Sequence, residues 1–221
     1  MDVRPVKNED THQWLLNRHY AKRLCPISYA FGLFDGSDLV GVVTYGTPAS
    51  SPLRVGVCGE SWSGSVVELN RLICEEGKNY ASILVGGSLR LLPKPKVVVS
   101  YADTAQGHVG YVYQATNFIY TGLSAKRTDW HVDGLDHLHG ATIADMSRGQ
   151  ENRAEYMRDR FGDDFSLVDR PRKHRYIYFC GSKRERKQMA KDLMYGIEDY
   201  PKGDTNRYDA SGYVEKQQVM F

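Results

Sequence analysis

The firmest local pattern of apolar and polar positions lies between residues 29 and 45. Two apolar runs there, Tyr29 to Phe34 and Leu39 to Tyr45, flank Asp35-Gly36-Ser37-Asp38, and the pattern predicts a β-hairpin. Upstream, Thr11 or Asp10 can cap a helix over residues 11–20, with Trp14 and Leu15 on its apolar side and His19 and Tyr20 at its end. Residues 47–65 are rich in Ser, Pro and Gly without periodicity, and predict a loop over one end of a sheet, with Trp62 as an anchor. Val66 to Ile73 predicts a strand with Val67, Leu69, Arg71 and Ile73 on one face. Asn79 opens a helix running to Leu92. Residues 96–101 then predict a buried strand, residues 106–116 a helix stopped by Asn117, and residues 118–121 a second strand. Further on, a short polar helix lies within 147–161 and a strand covers 175–179. A final helix starts at the capping box Ser182 to Glu185, with Met189, Leu193, Met194 and Ile197 as its apolar stripe.

Composition narrows the class. With 221 residues, 41% hydrophobic and 25% charged, the chain suits one globular domain with a single core, an α/β fold with a mixed sheet. Within it, a basic strand-helix spans about 170–198 and an extended tail spans 199–221. No apolar run is long enough for a bilayer, and MDVRPVKNED lacks the core of a signal peptide, which points to the cytoplasm. Cys25, Cys58, Cys74 and Cys180 show neither metal-ribbon nor disulfide spacing and read as reduced thiols. Net charge is only +2, but eight Lys/Arg and one acid fall between Arg170 and Lys187, either as a phosphate-binding surface or as a solvated face.

The stretch from Ser100 to Gly122 combines these signals with chemically capable side chains. If its two strands run parallel, Asp103 lies at a carboxyl edge, where open α/β sheets bind ligands. The competing reading makes Asp103 a helix cap and Tyr113 a packing residue. His19 and Tyr20 point into a site, or His19 merely complements a helix dipole. Glu68, Asn70 and Arg71 demand partners if buried, which suits a site wall; the alternative is an exposed edge strand. Gly86-Gly87-Ser88 weakens a helix and implies close approach of either a ligand or the sheet. His131, His137 and His139 have ligand-like spacing, yet no second cluster completes a metal set and a polar surface loop is the simpler reading.

Several blocks occur together in one order: RHY at 18–20, VVELNRL at 66–72, GGSLRLL at 86–92, and the SYAD to YQATN block within 100–122. In this the chain resembles the phage Mom family, and its element order resembles the GNAT acyltransferase fold. The resemblance implies a transferase that converts the adenine N6 amino group in double-stranded DNA to an acetamido (carbamoylmethyl) derivative. The modification protects phage DNA from restriction in the host cytoplasm. It implies iron dependence, with His19, Tyr20, Asp103 and Tyr113 as the metal site. Arg71 and Ser88 are implied for donor binding or catalysis, alongside Asp103 and Tyr113. Such an enzyme needs phosphate contacts, for which Arg170, Arg172, Lys173, Arg175, Lys183, Arg184, Arg186 and Lys187 are the candidates. It also needs an aromatic pocket for a flipped base, with Trp62, Tyr101, Tyr111 and Tyr113 as candidate linings.

One departure concerns the donor. GNAT enzymes hold the coenzyme A pyrophosphate on a glycine-rich loop at a helix start, whereas this chain has Glu75-Glu76-Gly77-Lys78-Asn79-Tyr80 there, a poor phosphate cradle. A coenzyme A derivative and an unrelated carbamoylmethyl donor both remain open. A His, a carboxylate and phenols form a hard donor set suited to iron, with zinc or no metal as alternatives. Two other functions compete: an ordinary GNAT N-acyltransferase with Tyr113 as acid and Glu68 or Asp103 as base, and a non-catalytic DNA-binding protein. A homodimer is compatible with the sequence, which does not set the oligomeric state.

Overall fold

The computed structural model of the chain describes residues 1–138 and 140–203. A seven-stranded mixed sheet is built in the order β1-β2-β3-β4-β5-β9-β6. Its strands are β1 (Asp2–Pro5), β2 (Tyr29–Asp35), β3 (Asp38–Gly46), β4 (Val66–Cys74), β5 (Lys96–Asp103), β6 (Ile119–Leu123) and β9 (Lys173–Cys180). The hairpin of β2 and β3 forms as its sequence predicts, and β1 adds to its edge. β4 and β5 pair in parallel, and β9 runs antiparallel between β5 and β6. β5 and β6 therefore share a direction, which puts Asp103 at a carboxyl end. This is the mixed sheet flanked by helices that the element order implies.

Helices cover both faces. On one lie α3 (Tyr80–Leu91) and α4 (Tyr111–Ala115), over a core that includes Tyr45, Leu69, Leu84, Val98, Tyr113 and Tyr176. On the other lie α1 (Asn8–Gln13), α2 (Ser51–Cys58) and α7 (Lys183–Asp192), over Val42, Val66, Val97, Val99 and Ile177. β5 is apolar on both faces because both are covered. Among the described residues no helix is long and apolar enough to cross a membrane.

Contacts within the chain divide it into two compact units, where the sequence predicts one domain. The second unit, residues 124–172, holds the hairpin of β7 (Arg127–Val132) and β8 (Phe165–Arg170) with α5 (Gly140–Asp145) and α6 (Arg153–Phe161). Val132, Ile143, Met157 and Phe165 form its own small core.

Several local expectations change. The first helix starts after Lys7, whose backbone N–H donates to the Asp10 carboxylate at 3.1 Å, and it widens into a π turn over Trp14–Arg18. The 47–65 stretch is not a loop: Pro52 opens α2, which buries Val57 and Cys58, and a 3-10 turn follows over Glu60–Ser65. Trp62 does act as an anchor, donating to Asp192 at 2.8 Å. Helix α4 is shorter than the predicted 106–116 because Gly107 and Gly110 take left-handed conformations, and a Cβ at Gly110 would lie 2.4 Å from the Tyr176 ring. Asn117, with φ of 61°, ends it as expected. Helix α7 stops at Asp192, leaving Met194 and Ile197 exposed rather than in the stripe. Of the expected tail, residues 204–221 lie outside the described residues, as does His139; His131 lies in strand β7 rather than in a loop and bonds Asp133 at 3.0 Å.

A polar cluster where two parallel strands part

Pairing between β4 and β5 ends at Leu69 and Ser100, although β4 continues to Cys74 and β5 to Asp103. Ser100 closes the last rung through a hydrogen bond to the Leu69 carbonyl at 3.1 Å. Beyond that rung the strands diverge. A register shift makes the divergence chemically useful. Thr44 faces Arg71 while Tyr45 faces Leu69, so Asn70 is an extra residue that reverses the alternation. Val67 and Leu69 pack on the α3 side, but Ile73 packs with Trp14, Leu15 and Val42 on the opposite face. Arg71 is therefore turned away from Leu69, contrary to the simple alternation. Asn70 accepts from Thr44 at 2.6 Å and donates to the Pro26 carbonyl at 2.9 Å, tying the segment after Tyr20 across the strand ends.

His19, Tyr20 and Asp103 come together here. The His19 and Tyr20 rings stack at 4.4 Å, and the Tyr20 hydroxyl donates to Asp103 Oδ2 at 3.4 Å. Lys173, directly across β9 from Asp103, forms an ion pair with the same oxygen at 2.7 Å. Asp103 Oδ1 accepts from the Ala105 amide, so the capping role is also real. Burial would raise the Asp103 pKa, but Lys173, the Ala105 amide and Tyr20 together hold it below the usual value. Burial pushes the His19 pKa down to about 3, assisted by the charges of Arg71, His108 and Lys173. His19 is thus neutral, and because Nδ1 accepts from the Ala21 amide at 3.0 Å, its proton sits on Nε2. Burial also lowers the pKa of His108, while Asp103 opposes the shift. Arg71 donates through Nη1 to its neighbour's carbonyl at 2.7 Å, yet its buried Nε meets no partner among the described residues.

Two expected site residues fall elsewhere. Ser88 is fully buried in α3, where its hydroxyl meets Tyr45 Oη at 2.6 Å and the Val85 carbonyl at 2.9 Å. The Tyr113 ring packs on Phe118 and Tyr176 at 5.3 and 5.2 Å in the α3-side core, close enough to Tyr45 to act on its pKa. Gly87 reflects tight packing, since a Cβ there would meet Val3 at 2.6 Å, whereas Gly86 opens onto a groove.

The cluster does not fit a resident iron as arranged. Both Asp103 oxygens and His19 Nδ1 are engaged, and an ammonium sits where a cation would bind the carboxylate. Among the described residues, no group of three or more His, Cys, Asp and Glu side chains is placed to hold a metal ion. Two members of the cluster, His108 and Lys173, are not among the residues that the sequence implies for this site. His108 lies five residues past Asp103, and its amide bonds the Asp103 carbonyl at 3.1 Å, a turn that local sequence spacing alone could suggest; Lys173 is expected from its basic segment to contact phosphate.

The basic segment divides in the structure. Arg175 donates to Thr121 Oγ1 and to the Thr121 carbonyl at 2.9 and 2.8 Å, with its guanidinium 3.5 Å above the Tyr195 ring. Arg172 bonds the Ser124 carbonyl, and Arg170 lies 3.6 Å from Asp129. Lys183, Arg184, Arg186 and Lys187 are exposed on α7. Of the aromatic candidates, Tyr101 and Trp62 pack partly buried on the α2 and α7 side.

Fold and cluster together define a mixed α/β protein whose polar, ionisable cluster lies where the central parallel strands part, the place where open α/β sheets bind ligands. The chain belongs to the Mom protein family, whose model matches residues 1–202. It is 32% identical over 192 residues to the methylcarbamoylase Mom of Escherichia phage Mu, a match covering 84% of this chain and 77% of that protein. Among solved structures it is similar to Arabidopsis thaliana NAA60 bound to a bisubstrate analogue, at 12% identity and a TM-score of 0.48, covering 80% of this chain and 97% of that one. An N-acetyltransferase from Staphylococcus aureus Mu50 shows 13% identity and a TM-score of 0.42, covering 81% and 98%.

Proposed function

We propose that this chain is a DNA adenine modification transferase that places a carbamoylmethyl group on adenine N6. Family membership over residues 1–202 carries the reading, and the cluster at the strand splay supplies groups of the right kind. The N6 lone pair is delocalised into the ring, so the amine is a weak nucleophile and benefits from a proton acceptor. His108 suits that role, because burial keeps it neutral and the Asp103 carboxylate stabilises the imidazolium that results. The new bond joins N6 to the methylene carbon of a carbamoylmethyl donor. As it forms, the bond to the donor's leaving group breaks with its electron pair, and the N6 proton passes to His108. Arg71 has an uncommitted Nε–H, and His19 an Nε2–H, to hold the carboxamide oxygen of the transferred group. Asp103 enters this reading as the counter-charge of Lys173 rather than as an iron ligand.

The same reading places a DNA duplex over the site, with the exposed Lys183, Arg184 and Lys187 supplying phosphate contacts. From Lys173 to Cys180 the strand advances roughly 24 Å at about 3.4 Å per residue, so α7 begins well away from the cluster and suits contacts beyond the target base. The test is mass spectrometry of nucleosides from DNA of cells expressing the chain. A modified adenosine heavier by one carbamoylmethyl group, absent with Arg71→Ala, is expected. Unmodified DNA from cells containing folded protein would overturn the reading. An N-acetylated small amine in its place would favour the ordinary acyltransferase.

A further inference from the structure

The opposite face of the sheet carries a groove that the reaction above does not use. It runs along α3 past Ser82 and Gly86 to Arg90, is walled by Thr116 and Asn117 after α4, and has Tyr178 of β9 at its base. Its volume is about 600 Å³, within the range typical of small-molecule sites. A second hollow of about 210 Å³ continues from it, sharing Arg90 and Tyr178 and adding Lys94, Cys180 and Arg186. Three cations thus surround one small concavity. Among the described residues no carboxylate forms an ion pair with any of them.

Like charges gathered around a hollow repel one another, and an anion between them removes that cost. The Cys180 thiol at the base does not supply it, since burial pushes its pKa up to about 11 and it stays neutral. The start of α3, where a helix ordinarily receives phosphate, is unsuited: Glu75 and Glu76 precede it, and Asn79 sits in a left-handed conformation without a side-chain cap. Gly86 keeps the groove open, because a Cβ there would meet nothing nearer than Arg90 Nη1 at 3.8 Å.

We propose that this groove binds a nucleotide-sized, phosphate-bearing small molecule, with its phosphoryl group held by Arg90, Lys94 and Arg186 at the far end of α3. The hollow is concave, whereas a duplex presents its phosphates along a convex surface, so the site suits a small molecule. Arg186 thereby separates from its neighbours on α7. The proposal stands independently of the adenine reaction.

Calorimetric titration of the full chain with adenosine 3′,5′-bisphosphate and with pyrophosphate tests it, alongside binding of a labelled DNA duplex. Both small molecules should bind the unaltered chain. Arg90→Ala combined with Arg186→Ala should weaken both by about tenfold or more, equivalent to about 1.4 kcal/mol, and leave duplex affinity unchanged. Gly86→Leu should fill the groove, weakening the bisphosphate while sparing pyrophosphate. All three positions are away from the core, so thermal melting should confirm folded variants. Absence of bisphosphate binding to the unaltered chain, or equal binding by the double variant, would overturn the proposal. Loss of duplex affinity without bisphosphate binding would also overturn it, by assigning the phosphate to DNA.

Discussion

Lys173 and Asp103 decide between two accounts of the basic segment. If Lys173 were a phosphate contact, Lys173→Met would weaken DNA binding and leave the fold as stable as before. The structure assigns it instead to Asp103, at 2.7 Å with side-chain exposures of only 24% and 13%. That geometry lies between an exposed pair, worth about 0.2 to 1 kcal/mol, and a fully buried pair broken on one side, which costs about 3 to 5 kcal/mol. Each single variant, Lys173→Met or Asp103→Asn, should therefore cost about 2 kcal/mol. For a chain of this size that is a fall in Tm of roughly 4 to 8 °C. The double variant should cost less than the two singles together, because neither charge is then left alone, with a coupling of about 1 to 2 kcal/mol. Urea melts of the four proteins measure this directly. The pH dependence has a definite sign. The Asp103 pKa is lowered in the folded state, so its contribution is present above the unfolded value and is lost as pH falls through the folded one. Lys173→Met should raise that folded value. Additive singles, or a variant that alters only the salt slope of DNA binding, would refute the assignment. Iron retained by the unaltered chain and lost in Asp103→Asn would refute the account of Asp103 as a counter-charge.

Other consequences are simpler to check. Arg175→Ala should cost about 1 to 2 kcal/mol through its lost Thr121 bonds and Tyr195 contact, and leave the salt slope of duplex binding unchanged. Neutralising Lys183, Arg184 and Lys187 together should instead reduce that slope by up to about 3, and an unchanged slope would make them a solvated face. His19, held near 3 when folded against 6.5 when free, is protonated preferentially in the unfolded chain. Stability should then fall by roughly 4 kcal/mol as pH drops from 6.5 towards 3, and His19→Phe should flatten the fall in pH-dependent melting. Tyr113→Phe keeps the ring packing on Phe118 and Tyr176 and should cost no more than about 1 kcal/mol with DNA modification retained; lost modification in a stable variant would put the phenol in the chemistry.

Local pattern was sufficient wherever one short stretch determines its own conformation. The turn Asp35 to Asp38 makes its hairpin, Ser182 and Glu185 close their capping box, and Asn117 ends its helix, because each depends on backbone preferences and hydrogen bonds within a few residues. The apolar run before Asp103 likewise placed it at the carboxyl end of a buried strand. Tertiary structure decided what those residues meet. The register shift at Asn70 arises from pairing with β3, and it alone turns Arg71 to the face opposite Leu69, which no alternation within β4 reveals. Lys173 joins Asp103, and Arg175 joins Thr121, because β9 inserts between β5 and β6, strands that are nearly neighbours in sequence. A basic run cannot show which of its charges a sheet will commit to partners. That depends on strand order, which is set by the burial of both faces at once rather than by any single segment.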